Sequence, residues 1–361
     1  LHGARLVRRD RSGGPAAARN SGLAEVATPL VVFVDSDCAV RPGWLEELVA
    51  VFVDPRVGLA APRVVATGGL GPLAAYDRVR SPLDLGPDEA VVRPGSTVPF
   101  VPSAALAARA EVVRALGGFD EDLRVGEDVD LVWRAVAAGH TVRYRPTATV
   151  VHPPRTGLRA WCAQRVDYGS SAADLDARHP GAVAPVVCSP WSLAVWGALA
   201  VPGPAGPVLA VATAVGTSAV AARRFRAAGL PDAESVRLVA RGHLGVGRML
   251  ARAAGREWWP LSVLALVAGG RLRRLAVLTG GVRAVDALRS RAGRAEAPGP
   301  AAVVALAALD DVAYGTGVWR GAARRRSLRA LLPRLVPTGL STLSTSAVEG
   351  AGPHRPVGAD G

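Results

Sequence analysis

The chain of 361 residues has no lysine, no isoleucine, one methionine and three cysteines. All 43 basic residues are arginine and the formal net charge is +13. Absent lysine beside abundant Ala, Gly, Arg and Val is the composition of a GC-rich bacterial genome, so it carries no mechanism. Cys38, Cys162 and Cys188 form no CxxC pair and no metal-type spacing, which excludes a disulfide framework and a thiolate zinc site. An odd, sparse count fits a reducing cytoplasm, with all three as packing residues. Aromatic residues make up only 5% of the chain, and the densest arginine clusters are not interleaved with them. A nucleic-acid surface needs that interleaving, so nucleic acid is not an expected partner.

What is present is apolar. Half of the residues (50%) are hydrophobic, enough to bury a real core in two modest domains. The clusters Arg223-Arg224-Phe225-Arg226, Arg271-Leu272-Arg273-Arg274 and Arg324-Arg325-Arg326 flank apolar stretches, an arrangement that suits a membrane surface.

Along the chain, residues 5–8 read as a short strand. Gly13-Gly14-Pro15 opens a helix, with proline near its first turn. Residues 30–34 are continuously apolar, as in a strand buried on both faces of a parallel sheet. Trp44, Leu45, Leu48 and Phe52 have helical spacing within 42–53, and residues 57–66 read as another strand. Residues 68–97 are rich in Gly and Pro with no long periodic element, the mark of a functional or disordered loop. A helix over 128–138 ends at Gly139, and short strands at 141–145 and 147–151 come after it.

From about residue 185 the texture changes. Residues 186–201 and 208–222 are apolar, joined by a turn rich in Pro and Gly, and the second stops at Arg223-Arg224. Each is at the short end of the ~17–25 residues that span a bilayer, and the arginines follow the positive-inside rule. The alternative is a buried helical hairpin. Residues 259–270 are too short to span and read as interfacial, whereas Asp310-Asp311 argues against a span over 300–319. The sequence thus divides into an α/β domain (1–182), an apolar hairpin (183–226), an Arg-rich helical region (227–336) and a disordered tail (337–361).

Two acidic motifs carry the chemistry. Val31-Val32-Phe33-Val34 runs into Asp35-Ser36-Asp37. In an extended segment residues i and i+2 point the same way, so Asp35 and Asp37 aim two carboxylates at one site beyond a strand end, where ligands of open α/β sheets bind. Two carboxylates suit Mg2+ or Mn2+, which would neutralise a leaving diphosphate. The plain alternative is a turn, which aspartate favours. The second motif, Gly126-Glu127-Asp128-Val129-Asp130, stands at a helix N-terminus, where acids are favoured by the helix dipole alone. Its functional reading makes Asp128 the general base for an acceptor hydroxyl, with Glu127 orienting it or contacting the acceptor. Asp130 and Arg134 have the i, i+4 spacing of an ordinary ion pair. His152 comes just after a strand and is a candidate third metal ligand or phosphate contact; a structural histidine is the alternative. Arg165, on a stripe with Trp161, Gln164 and Tyr168, is a candidate cap for a diphosphate; a core-facing helix is the alternative.

Together Gly14-Pro15-Ala16-Ala17-Ala18-Arg19-Asn20-Ser21-Gly22-Leu23, Phe33-Val34-Asp35-Ser36-Asp37, Gly118-Phe119-Asp120 and Gly126-Glu127-Asp128-Val129-Asp130-Leu131 resemble an inverting family 2 glycosyltransferase of the GT-A fold. Their order and spacing are more specific than any one motif. Ser81-Pro82-Leu83-Asp84-Leu85-Gly86, Phe100-Val101-Pro102-Ser103-Ala104-Ala105, Tyr168-Gly169-Ser170-Ser171-Ala172 and Arg178-His179-Pro180 are similar to the subgroup that serves the mycofactocin system.

The resemblance implies a GT-A fold, doubly wound about a mostly parallel sheet, before a mainly helical, apolar C-terminal region. It implies a UDP-sugar donor (UDP-glucose), a Mn2+ or Mg2+ ion at Asp37 with help from Asp35, Asp128 as base, and Arg19 and Asn20 near the nucleotide. The subgroup implies a mycofactocin-type peptide-derived acceptor and an actinobacterial source. The family begins with a strand and acidic motif that the opening Leu1-His2-Gly3 does not supply, so the expectation is a chain lacking its first strands. The expected whole is a glycosyltransferase at the cytoplasmic face of the membrane. A transferase for a lipid or polysaccharide acceptor and a non-catalytic membrane-bound partner remain as alternatives.

Overall fold

The computed structural model describes residues 3–336, except 228, 230 and 295. They fall into two compact units, one running to Val186 and resuming over Arg248–Pro333, the other comprising Val187–Gly247 with the residues from Arg334. This division differs from the boundaries read in the sequence, because residues 248–333 pack with the first unit. The tail expected from 337 onward lies outside the described residues.

The first unit opens with α1 (Gly14–Ala24), β1 (Leu30–Val34), β2 (Ala39–Val40) and α2 (Trp44–Val49), which tightens into a 3-10 turn over Ala50–Val53. Next come β3 (Val57–Ala66), α3 (Pro72–Arg80), β4 (Ala90–Val91), β5 (Ala105–Arg109), α4 (Ala110–Ala115) and α5 (Glu127–Ala137). After these stand β6 (Thr141–His152), α6 (Leu158–Ser170) and α7 (Ala172–Arg178). The main sheet has the order β1-β5-β3-β6-β2, with β4 also on β6. β3 and β6 are parallel, and β5 is antiparallel to both β1 and β3. So β1, β3 and β6 point one way, as a parallel-sheet reading expects, but β5 runs between β1 and β3 in the opposite sense. The short β2 and β4 are also antiparallel to β6.

Alternation along the strands builds two cores. Val31, Phe33, Leu59, Ala61, Leu106, Ala108, Val142 and Tyr144 join Leu131 and Trp133 of α5 on one face. Ala60, Ala107 and Ala148 meet Leu48 and Phe52 on the other, with Leu30 and Val32 packed beside them. Both faces of β1 are thus covered, the first more completely than the second.

Three local expectations are corrected. Residues 5–8 are not a strand: Leu6 and Val7 are exposed and pair with nothing in the sheet. The segment 68–97 contains α3, whose buried Ala74, Tyr76 and Asp77 are masked in sequence by the surrounding Gly and Pro. The two short strands after Gly139 are one strand, β6, which continues through a register shift opposite Pro62 and Arg63.

The second unit begins with β7 (Val187–Cys188), α8 (Pro190–Ala198), α9 (Ala205–Ala227) and α10 (Asp232–Gly255), which ends in the first unit. His243 accepts or donates between the Ser192 hydroxyl at 2.9 Å and the Thr217 hydroxyl at 3.0 Å, tying three helices together. Ala205–Arg226 is long and apolar enough to cross a bilayer by length and composition, and only 17% of that span is buried.

The first unit is completed by α11 (Trp259–Ala268), α12 (Gly270–Arg291) and α13 (Pro300–Arg325). α13 passes the same length-and-composition test. However, it lies tightly on α6: a Cβ at Gly317 would stand 2.0 Å from the Val166 carbonyl, and one at Gly169 would stand 2.0 Å from the Tyr314 carbonyl. Asp310 and Asp311 do not interrupt it, because both are paired. Asp310 accepts from Tyr76 and Arg165, and Asp311 from Arg283. A short β8 (Arg334–Leu335) pairs in parallel with β7 in the second unit.

Candidate active site

The ends of β1, β3 and β6 and the beginning of β5 lie at one edge of the sheet, and the acidic motifs converge there. The Asp35 amide donates to the Ala104 carbonyl at 2.9 Å, fixing the β1 end to the β5 start. The Cys38 amide then donates to the Asp35 carbonyl at 3.0 Å. Asp35-Ser36-Asp37-Cys38 is therefore a turn instead of an extended segment, and its two carboxylates take different partners. Asp35 accepts from Arg19 at 2.7 Å, whereas Asp37 approaches Nε2 of His152 at 3.4 Å. β2 makes this possible: it lies antiparallel to the last residues of β6, with Ala39 opposite Val151.

Arg19, on α1, links the two motifs. One guanidinium nitrogen donates to Asp35 and the other to Glu127, each at 2.7 Å. Its side chain is 11% exposed and Glu127's is 8%, so the guanidinium is a nearly buried clamp. Burial works to lower the Arg19 pKa, but Asp35 and Glu127 outweigh it and the net shift is upward. Burial first, then the Asp128 charge, raises the Glu127 carboxyl, and Arg19 offsets this only in part.

Asp128 is half-buried at the start of α5. One carboxylate oxygen accepts from the Ser103 amide at 3.0 Å, and the other from the Val129 amide at 2.8 Å. Two backbone donors thus fix its orientation. Gly126 enters this helix with φ 87, and a Cβ there would press on Ser171 and Leu175 at 3.2 Å, so glycine is required. Beyond its place in the Phe100–Ala105 motif the sequence gives Ser103 no role, and the structure buries it at 2% exposure. Tyr168 completes the neighbourhood. Burial, then the Asp128 and Asp35 charges, pushes its hydroxyl up to about 12, although Arg165 and Arg155 act the other way. At neutral pH it stays a donor.

Asn20 and Arg165 are engaged elsewhere. Asn20 donates to the Phe119 carbonyl at 2.8 Å and accepts from the Phe119 amide at 2.8 Å. It clamps the Gly118-Phe119 turn. Arg165 is 2% exposed and donates to Asp77 at 2.7 Å, to Asp310 at 3.2 Å and to Gln164 at 2.7 Å, with Trp161 beneath it. Its charge is matched within the fold by carboxylates 88 and 145 residues away, as the core-facing alternative expects. Asp130 is likewise structural, held by Arg134 at 2.7 Å and His179 at 2.8 Å.

No three His, Cys, Asp or Glu side chains cluster as a metal site among the described residues. Of the expected Asp35, Asp37 and His152 set, Asp37 and His152 stand 3.4 Å apart and Asp35 is paired with Arg19. A carboxylate and an imidazole can hold a divalent cation as an open site, leaving positions for phosphate oxygens and water.

The family model described as Glycosyl transferase family 2 matches residues 1–116. The pre-mycofactocin glycosyltransferase of Mycobacterium tuberculosis is 43% identical over 335 residues, covering 91% of this chain and 71% of that protein. Among solved structures, GalNAc-T7 with UDP, GalNAc and Mn2+ is 19% identical, covers 42% of this chain and 32% of that one, and has a TM-score of 0.33. The mannosyltransferase PcManGT from Pyrobaculum calidifontis, in complex with GDP-Man and Mn2+, is 17% identical, covers 84% and 68%, and has a TM-score of 0.39. The chain belongs to the family of the pre-mycofactocin glycosyltransferases, within glycosyltransferase family 2. It is a glycosyltransferase, and its mixed sheet followed by a mainly helical C-terminal region is the GT-A arrangement expected from its motifs.

Proposed function

We propose that the protein transfers glucose from UDP-glucose, with inversion, to a hydroxyl of a mycofactocin-type peptide-derived acceptor. The observation that carries this reading is Asp128, held by the Ser103 and Val129 amides at the sheet edge where the acid motifs meet. The name of the relative at 43% identity supports the acceptor class. The acceptor oxygen attacks the anomeric carbon as its proton passes to Asp128. The bond from that carbon to the diphosphate oxygen breaks, and UDP leaves on the opposite face. Arg19 holds Glu127 and Asp35 together beside Asp128. Asp37 and His152 would hold Mn2+ or Mg2+, which when bound neutralises charge on the departing diphosphate.

The exposed apolar α9, closing on Arg223, Arg224 and Arg226, supports membrane contact at the cytoplasmic face. The same helix favours a second reading, a lipid-linked acceptor. Incubating the protein with UDP-glucose and Mn2+, offering a mycofactocin-type peptide or a polyprenyl phosphate, separates them by mass spectrometry. A hexose on the peptide alone supports the first reading. A hexose on the lipid alone replaces it.

A further inference from the structure

The ten residues of α11 bury none of their side chains. Leu261, Val263, Leu264, Leu266 and Val267 are all exposed, Val267 at 82%. They do not lie on one stripe. A helix docked against another protein shows one apolar face and a polar remainder, whereas a helix apolar all round matches a medium that surrounds it. Ser262, the one hydroxyl in α11, turns its donor inward to the Ala254 carbonyl at 2.7 Å.

The start of α12 supplies the opposite chemistry. Gly269 and Gly270, with φ 76 and 58, turn the chain sharply into that helix. Arg271, Arg273 and Arg274 come at once and are exposed. Beyond them Leu278, Val282 and Val285 continue an exposed apolar face along α12. A helix of the length of α11 extends about 15 Å, half of the roughly 30 Å hydrocarbon core. It cannot span, but it can lie within one leaflet with the arginines at headgroup level.

We propose that α11 and the first turns of α12 form a docking surface for an anionic lipid bilayer, α11 entering the acyl boundary and Arg273 and Arg274 meeting the headgroups. Charge complementarity selects the lipid: the arginines adjoin the apolar surface, and the chain as a whole carries +13. The surface belongs to the unit that holds the candidate active site. The inference is independent of the transfer reaction, since vesicle binding needs no donor or acceptor.

The test must be site-specific, because α9 offers a separate apolar surface. An environment-sensitive fluorophore is placed on the full chain at Leu264→Cys, or at Val53→Cys as a control, the latter position being 89% exposed. Cys38, Cys162 and Cys188 are first changed to Ala. With vesicles of mixed phosphatidylcholine and phosphatidylglycerol, the label at 264 should shift to the blue and the label at 53 should not. Arg273→Ala with Arg274→Ala should weaken the vesicle partition roughly 25-fold, at about fivefold per arginine. An unmoved label at 264 while the chain sediments with vesicles would overturn the proposal, as would no sedimentation at all. Equal shifts on neutral vesicles would remove the anionic lipid from it. A concentration-dependent shift without vesicles would replace the bilayer by a second copy of the chain.

Discussion

Arg19 and Glu127 stand 108 residues apart in sequence and 2.7 Å apart in space, both almost buried. The contact joins the helix before β1 to the start of α5, so the two acidic motifs form one electrostatic unit. Removing one partner of a buried pair leaves the other charge unmatched. Arg19→Ala should therefore destabilise the fold by about 3–5 kcal/mol. Adding Glu127→Gln to that variant should recover part of the loss. Urea denaturation of the single and double variants measures both, and simple additivity would show the contact to be incidental.

Glu127 also sets a pH dependence. Burial first and Asp128 second raise its carboxyl above the ordinary 4.5, so the folded chain holds that proton more tightly than the unfolded chain. Stability from this group is fully present below 4.5 and is lost as pH rises through the higher folded value. Glu127→Gln should flatten that fall. Denaturation midpoints from about pH 4 to pH 8 would show it, and identical slopes in both proteins would contradict it.

The contact between α6 and α13 depends on glycine. Gly317→Ala places a Cβ 2.0 Å from the Val166 carbonyl, a backbone atom that cannot swing away. The cost should be on the order of 1–3 kcal/mol, or more if the helices separate. Gly280→Ala, in open space on α12, is the matched control and should be neutral or stabilising by up to about 1 kcal/mol. Thermal melts of the pair decide it; equal effects would mean that the close approach is not a constraint.

Much of this is legible in sequence because it is local. The apolar run at residues 30–34, the strand over 57–66 and the acids opening α5 each announce themselves by period or by end chemistry. The separate partners of Asp35 and Asp37 are not legible: they depend on the hydrogen bond from Cys38 to Asp35 and on β2 pairing with the far end of β6. Arg165 misleads for a related reason. Its stripe is visible, but its partners Asp77 and Asp310 come from α3, which lies inside an apparent loop, and from α13, whose acids read as interruptions. Long-range ion pairs leave no periodic trace in sequence.

The Asp37 and His152 pair makes a separate prediction. Asp37→Ala and His152→Ala should each weaken Mn2+-dependent UDP binding by roughly 10–100-fold or more. Asp35→Ala should act chiefly on stability, through Arg19. Calorimetric titration with and without Mn2+ distinguishes them. Unchanged affinity in both variants would leave the pair as part of a turn.

The most direct measurement is turnover of Asp128→Asn. The amide keeps an oxygen for only one of the Ser103 and Val129 amides, and it cannot take the acceptor's proton. Glucose transfer from UDP-glucose should fall by roughly 10²–10⁴-fold, while UDP affinity stays unchanged and stability falls by only about 1–3 kcal/mol for the one lost backbone contact. Retained turnover with intact folding would contradict Asp128 as the base.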